Sequence, residues 1–247
     1  MAEIYLVISG KGGVGKSTVS TMLGAAFARK GKKTLLVETD WGQRGLDVMN
    51  GVHHNVVYDI RDLLAQRCSV EKAVINSKLS ANLFLLPACP DRSFQPSKND
   101  LERLFSKLTG VYDCIIIDSA AGLTKSAEFC MDIANTALLT VTPDLLTVRI
   151  AASLAGQLAQ KGLPARLVIN RIPQRWKPTS AIPDLDAVID LVGVQLVGAV
   201  PMDNELGELL CTMEDGHWAK MASIKSAEVF RRIADRLNGE YVPLYVK

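Results

Sequence analysis

Along this chain, short apolar runs rich in Val, Ile and Leu alternate with stretches whose apolar residues recur at helical spacing. The runs are Ile4–Ser9, Thr34–Thr39, Leu83–Pro87, Cys114–Asp118, Ala137–Thr142, Arg166–Asn170 and Leu196–Val200. Most of them do not alternate apolar with polar. A strand of that kind is shielded from water on both faces, as in a parallel sheet covered by helices. Helical spacing predicts Ser17–Arg29, Asp100–Leu108, Lys125–Ile133, Asp144–Gln160 and Ala227–Leu237. In the last of these, Val229, Phe230, Ile233 and Leu237 share one face, which reads as packed on a core. Strand and helix repeated in this way predict an α/β fold: a doubly wound, mostly parallel sheet flanked by helices. The segment Ile172–Asp186 carries Pro173, Pro178 and Pro183 and reads as a surface connection. No repeat, low-complexity tract or Gly/Ser linker divides the chain, so residues 1–247 are expected to form a single domain.

Composition narrows the class. A chain of 247 residues that is 48% hydrophobic and 22% charged can bury a sizeable core. With 28 Lys+Arg against 26 Asp+Glu, the balance does not advertise nucleic acid, which is not among the expected partners. Cys68, Cys89, Cys114, Cys130 and Cys211 are odd in number and contain no C-x-x-C pair. They read as buried or partly buried reduced thiols, in keeping with a reducing cytosol. Met1-Ala2-Glu3-Ile4 does not open a signal peptide, and no apolar run has membrane-span length. The expected location is cytoplasmic, with the inner face of the membrane left open as a peripheral site. His53-His54 has no third ligand nearby and reads as surface loop rather than metal site.

The chemistry begins at Gly10-Lys11-Gly12-Gly13-Val14-Gly15-Lys16-Ser17, which fits G-x-x-x-x-G-K-S/T between a buried strand and a helix. Glycines let successive backbone N–H groups curl toward phosphate oxygens. The following helix aims its positive end at the same anion. Lys16 neutralises β and γ oxygens, and the Ser17 hydroxyl suits Mg²⁺. Farther on, Asp118 ends an apolar strand, at the edge where parallel sheets bind ligands.

The fuller string from Lys11 through Lys16, Ser17 and Thr18 resembles the deviant Walker A motif of the MinD/ParA family of P-loop ATPases. The resemblance implies that Lys11 reaches the phosphates of a nucleotide in a facing subunit, hence an ATP-dependent homodimer. It implies ATP and Mg²⁺ as cofactors and slow, partner-stimulated hydrolysis, with Lys11, Lys16 and Asp40 as the catalytic set. Cys114–Asp118 looks like the Walker B strand, its Asp118 holding Mg²⁺ through water together with Ser17 and Asp40. Ser119-Ala120-Ala121-Gly122 is similar to the second switch, with Ala120 where proline is usual. Glu38-Thr39-Asp40 resembles the D-x-D of the first switch, with Glu38 in place of the first Asp. There the family's second Asp helps place the attacking water. Gly42-Gln43-Arg44-Gly45-Leu46-Asp47 continues that switch with departures at Gln43 and Gly45. Trp41 is open between core packing and a partner surface. Asn170-Arg171 and Pro201-Met202-Asp203 match the places where the family contacts the base. The implied nucleotide set is Gly12, Gly13, Val14, Gly15, Lys16, Ser17, Thr18, Asn170, Arg171, Pro201 and Asp203. Asn170 would read the adenine edge, and neither base segment carries the N-K-x-D string expected for guanine.

Segments such as Leu46–Gly51, Val56–Asp59, Leu83–Ala88 and Leu196–Pro201 are similar to the MinD branch in the same order. That branch implies a spatial regulator of septum placement whose partner is a division inhibitor or activator. Its members end in a short basic amphipathic helix, whereas this sequence stops at Leu244-Tyr245-Val246-Lys247. The expectation is therefore the switch without a visible C-terminal membrane anchor. The alternatives are a ParA-like or flagellar/pilus positioning ATPase, and a metallocentre-assembly ATPase, the latter weakened by the missing C-x-x-C.

Overall fold

Eight strands form one sheet in the computed structural model, which describes residues 2–175, 177–179, 184–212, 220–221 and 224–244. They are β1 Glu3–Ile8, β2 Thr34–Glu38, β3 Ile75–Asn76, β4 Leu83–Leu86, β5 Cys114–Asp118, β6 Thr136–Val141, β7 Ala165–Ile172 and β8 Leu196–Pro201. Their order is β3-β4-β2-β5-β1-β6-β7-β8. Every neighbouring pair is parallel except β3 with β4. The non-alternating pattern has its explanation here. In β1, Ile4, Leu6 and Ile8 join one core while Tyr5 and Val7 join the other. In β5, Ile115 and Ile117 face the first core and Ile116 the second.

The helices are α1 Lys16–Arg29, α2 Leu46–Met49, α3 Ile60–Leu64, α4 Val70–Ala73, α5 Lys98–Leu108, α6 Lys125–Ile133, α7 Leu145–Gln160, α8 Leu185–Val192, α9 Asn204–Thr212 and α10 Lys225–Leu237. Helices α5, α6, α7 and α8 supply one core; α1, α9 and α10 supply the other. The doubly wound α/β sheet is thus the observed architecture. Val229, Phe230 and Ile233 of α10 are buried in the second core, with Leu237 packed against its edge.

Several local expectations change. Asp144 is the cap of α7 rather than its first residue, its Oδ1 accepting from the Thr147 N–H at 3.0 Å. Helices α2, α3 and α4 span four or five residues, too few for a 3.6-residue period to show. The segment read as a connection is shorter than expected, because Ile172 closes β7 while Leu185 and Asp186 open α8. Pro183 lies outside the described residues, as do Tyr245, Val246 and Lys247. Cys211 is exposed, not buried, whereas Cys89, Cys114 and Cys130 are buried and Cys68 is half-buried. His53 and His54 sit in an exposed one-turn 3₁₀ helix. Among the described residues, no helix is long and apolar enough to cross a membrane.

Candidate nucleotide site

The site forms where the ends of the central strands meet. From β1 the chain crosses to β2 on one side of the sheet, and after β5 it moves to β6 on the other. Such a reversal opens a crevice at the carboxyl ends of the strands. Asp118 is in register with Val7 of β1 and Glu38 of β2, so three strand ends stand level.

The loop from Ser9 to Gly15 leaves β1 and enters α1. Gly15 has φ +93°, and a Cβ there would lie 2.3 Å from the Asn170 side-chain nitrogen, so glycine alone fits. With glycine at the N-cap, no side chain caps the first turn of α1, whose backbone donors stay open to an anion. Lys16 is buried, while Lys11, Gly12 and Gly13 lie on the exposed side of the loop. Ser9 Oγ donates to the Lys11 carbonyl at 2.7 Å, and the Gly122 N–H donates to the Ser9 carbonyl at 2.8 Å. The second-switch segment is therefore stitched to the phosphate loop.

Under the loop lies the acidic pair of strand ends. Ser17 Oγ donates to Asp118 Oδ2 at 2.7 Å and Ser20 Oγ to Asp118 Oδ1 at 2.9 Å. Burial pushes Asp118 up to about 6, against the pull of these hydroxyls and of Lys16. Burial also raises Asp40, against Lys16 and Arg92, and lowers Lys16, against Asp118 and Asp40. Glu38 is pushed up to about 7 by burial, although three backbone N–H groups oppose the shift. Ser17 and Asp118 meet with oxygen donors, and burial rather than missing cations raises the carboxylates. That chemistry fits Mg²⁺, which takes few protein ligands and keeps waters and phosphate oxygens. Among the described residues, no cluster of three or more His, Cys, Asp or Glu offers an all-protein cage. Ser17 and Asp118 are brought together; the Asp40 carboxylate accepts no hydrogen bond among the described residues and reaches them only electrostatically.

Asn170 and Arg171, at the end of β7, lie on the phosphate loop itself. Asn170 Nδ2 donates to the Val14 carbonyl at 2.8 Å, and Arg171 Nη1 donates to the Gly13 carbonyl at 2.7 Å. Beside them opens a cavity of about 650 Å³ lined by Thr18, Asn170, Arg171, Pro201, Met202 and Asp203, and by Gly207 and Cys211 of α9. The strand-end residues singled out from sequence thus share one wall with α9, an element the pattern did not predict. Its signal was present: Asp203 precedes Leu206, Leu209 and Leu210 as a capping residue precedes an apolar face. Asp203 Oδ1 accepts from the Leu206 N–H at 3.1 Å, and Oδ2 from Ser226 Oγ at 2.5 Å. That carboxylate caps α9 and ties it to α10 while its residue lines the cavity. Ser20 on Asp118 was also missed, since nothing local distinguishes it from other helix serines. Trp41 packs edge-on against Phe94, ring centroids 5.3 Å apart, and stays half-buried beside a second cavity next to Asp40.

Comparison with known proteins bears on the same residues. Residues 2–160 match the family model described as an AAA domain. The septum site-determining protein MinD of Synechocystis sp. is 34% identical over 98% of this chain and 92% of its own. Among solved structures, one chain of a MinC:MinD complex from Aquifex aeolicus has a TM-score of 0.88 at 30% identity, covering 99% of both chains. MinD from Pyrococcus horikoshii, complexed with Mg-ADP, has a TM-score of 0.84 at 26% identity over 96% of each. Matched almost end to end in sequence and in fold, and carrying the phosphate loop where two-sided strands converge, this chain belongs to the septum site-determining MinD family of P-loop proteins.

Proposed function

We propose that the chain, as one domain over residues 1–247, is a Mg-ATP-dependent switch that dimerises on ATP and takes part in placing the division septum. The observation that carries this reading is the 2.7 Å bond from Ser17 on the phosphate loop to Asp118 on β5. The backbone of Gly12 through Thr18 wraps the phosphates, Lys16 offsets their charge, and Asn170, Arg171, Pro201 and Asp203 border the base. Ser17, Asp118 and Asp40 are the residues that would hold Mg²⁺. Bound there, Mg²⁺ would supply electrostatic stabilisation of the charge that develops on the transferred phosphoryl group. Asp40, half-buried and with a carboxylate that accepts no hydrogen bond among the described residues, orients the attacking water. Lys11, exposed on the outer face of the loop, reaches a nucleotide held by a second copy. The Mg-ADP complex of one relative and the MinC complex of another support the nucleotide and a protein partner that speeds or uses the switch.

A switch works through the differential affinity of its states for ATP and ADP. Asp40→Ala is expected to retain ATP, lose most hydrolysis and accumulate as the ATP dimer. Lys11→Ala is expected to bind ATP and stay monomeric. Phosphate release and solution mass, measured on the same samples, test both. Normal hydrolysis by Asp40→Ala, or a normal ATP dimer of Lys11→Ala, would refute the mechanism.

A further inference from the structure

Glu38 opens the segment that resembles the D-x-D of the first switch, and its carboxylate is buried beside Asp40. The residue is 2% exposed, and among the described residues its carboxylate accepts hydrogen bonds from main-chain N–H groups alone. Oε1 accepts from Gly45 at 2.8 Å and from Leu46 at 3.1 Å. Oε2 accepts from Ala88, just after β4, at 3.3 Å. The first switch is thereby closed on itself, residue 38 holding residues 45 and 46, with Asp40 inside the loop.

The same carboxylate fastens that loop to its neighbour. Gly42 N–H donates to the Cys89 carbonyl at 2.9 Å. Gly42 has φ +80°, and a Cβ there would fall 1.9 Å from Cγ of Arg92, so the two loops touch with no room for a side chain. On the other flank Thr39 donates to the Asp118 carbonyl, from N at 2.9 Å and from Oγ1 at 3.1 Å. Asp40 is the residue between these fastenings.

Resting on the switch reading above, we propose that Glu38 is a positioning residue of the ATPase site, clamping the first switch to the loop after β4 so that Asp40 is held over the phosphates. Its length is the decisive property. An aspartate is shorter by one bond, roughly 1.5 Å. Contacts now between 2.8 and 3.3 Å would then exceed hydrogen-bonding range on one side or the other. The residue touches nothing that reacts and acts through the geometry of Asp40.

The test uses the full chain with Mg-ATP and three variants: Glu38→Asp, Glu38→Gln and Asp40→Ala. ATP affinity, single-turnover phosphate release and amide hydrogen exchange are read for each. Glu38→Asp is expected to slow release by about ten-fold or more with affinity held within about three-fold, because misplacement of a water-orienting group costs rate rather than binding. Exchange should quicken over residues 39–49 and 88–92 and nowhere else. Glu38→Gln keeps the length and one acceptor oxygen but loses the bond from Ala88, and should fall measurably between wild type and Glu38→Asp, with exchange quickened over residues 88–92. A role confined to stability would lower the melting temperature without separating rate from affinity. The proposal is overturned if Glu38→Asp releases phosphate like wild type, or if rate and affinity fall together. Should Glu38→Asp fail to fold, Glu38→Gln decides: it places an amino group opposite the Ala88 N–H, so wild-type exchange and rate would overturn the clamp. Normal hydrolysis by Asp40→Ala would instead strike the switch mechanism, whatever the Glu38 variants do.

Discussion

On the proposed reading, the amide of Asn170 sets the base preference. A carbonyl only accepts, so the group facing Val14 is the nitrogen, and the oxygen is left as acceptor. Adenine carries an amino donor at the position where guanine carries a carbonyl. ATP is therefore expected to bind far better than GTP. Asn170→Ala should weaken ATP by about ten-fold, the worth of one good hydrogen bond, and narrow the gap to GTP. Calorimetric titration with both nucleotides checks this; unchanged affinities would exclude the role. Gly10 to Thr18 could be read in the sequence because adjacent residues make the phosphate loop. The Asn170–Val14 contact joins residues 156 apart, and no local pattern announces it. The three backbone contacts of Glu38 were equally silent: the sequence marks the substitution but not what the longer side chain reaches.

Among elements, α10 is fixed from both sides. Its inner face is buried, and Asp235 pairs with Lys30 of α1. On the outer face Glu228 accepts from Arg231 at 2.6 Å and Arg232 at 2.8 Å, and these two hold its carboxyl at about 2, against 4.5 when free. A carboxylate whose pKa is lowered by folding adds stability above its unfolded pKa, and that stability is lost as pH falls through the folded value. The window runs from 4.5 down to about 2. Glu228→Gln should cost under about 1 kcal/mol near neutral pH, since the pair is well exposed and screened. The deficit should shrink as melts are repeated toward about pH 3. A deficit that does not change with pH would show that packing, not charge, is at stake. Elements such as α7 and α10 were legible because they are long and keep one apolar stripe. Strand β3 has two residues, too few for an alternation to show, and in α9 Gly207 weakens the helix preference behind the Asp203 cap.

At the scale of the whole molecule, the nucleotide site draws on β1, β2, β5, β7, β8 and α9. A ligand there should stabilise every layer at once. Anything that binds only the folded state adds stability by mass action, about 2.7 kcal/mol at a hundred times its Kd. Saturating Mg-ATP is therefore expected to raise the melting temperature. EDTA should remove part of that rise, and Lys16→Ala should abolish it. A rise that persists in Lys16→Ala would place the ligand elsewhere. The strand order has a consequence for synthesis as well. The phosphate loop is translated first, yet the walls of the cavity beside it come from Asn170, Pro201 and α9. A growing chain carries the loop through most of its synthesis without anything to close it. A domain generally folds as a unit. Those walls are complete only once β8 and α9 have emerged, so this side of the site is among the last parts of the chain to be finished.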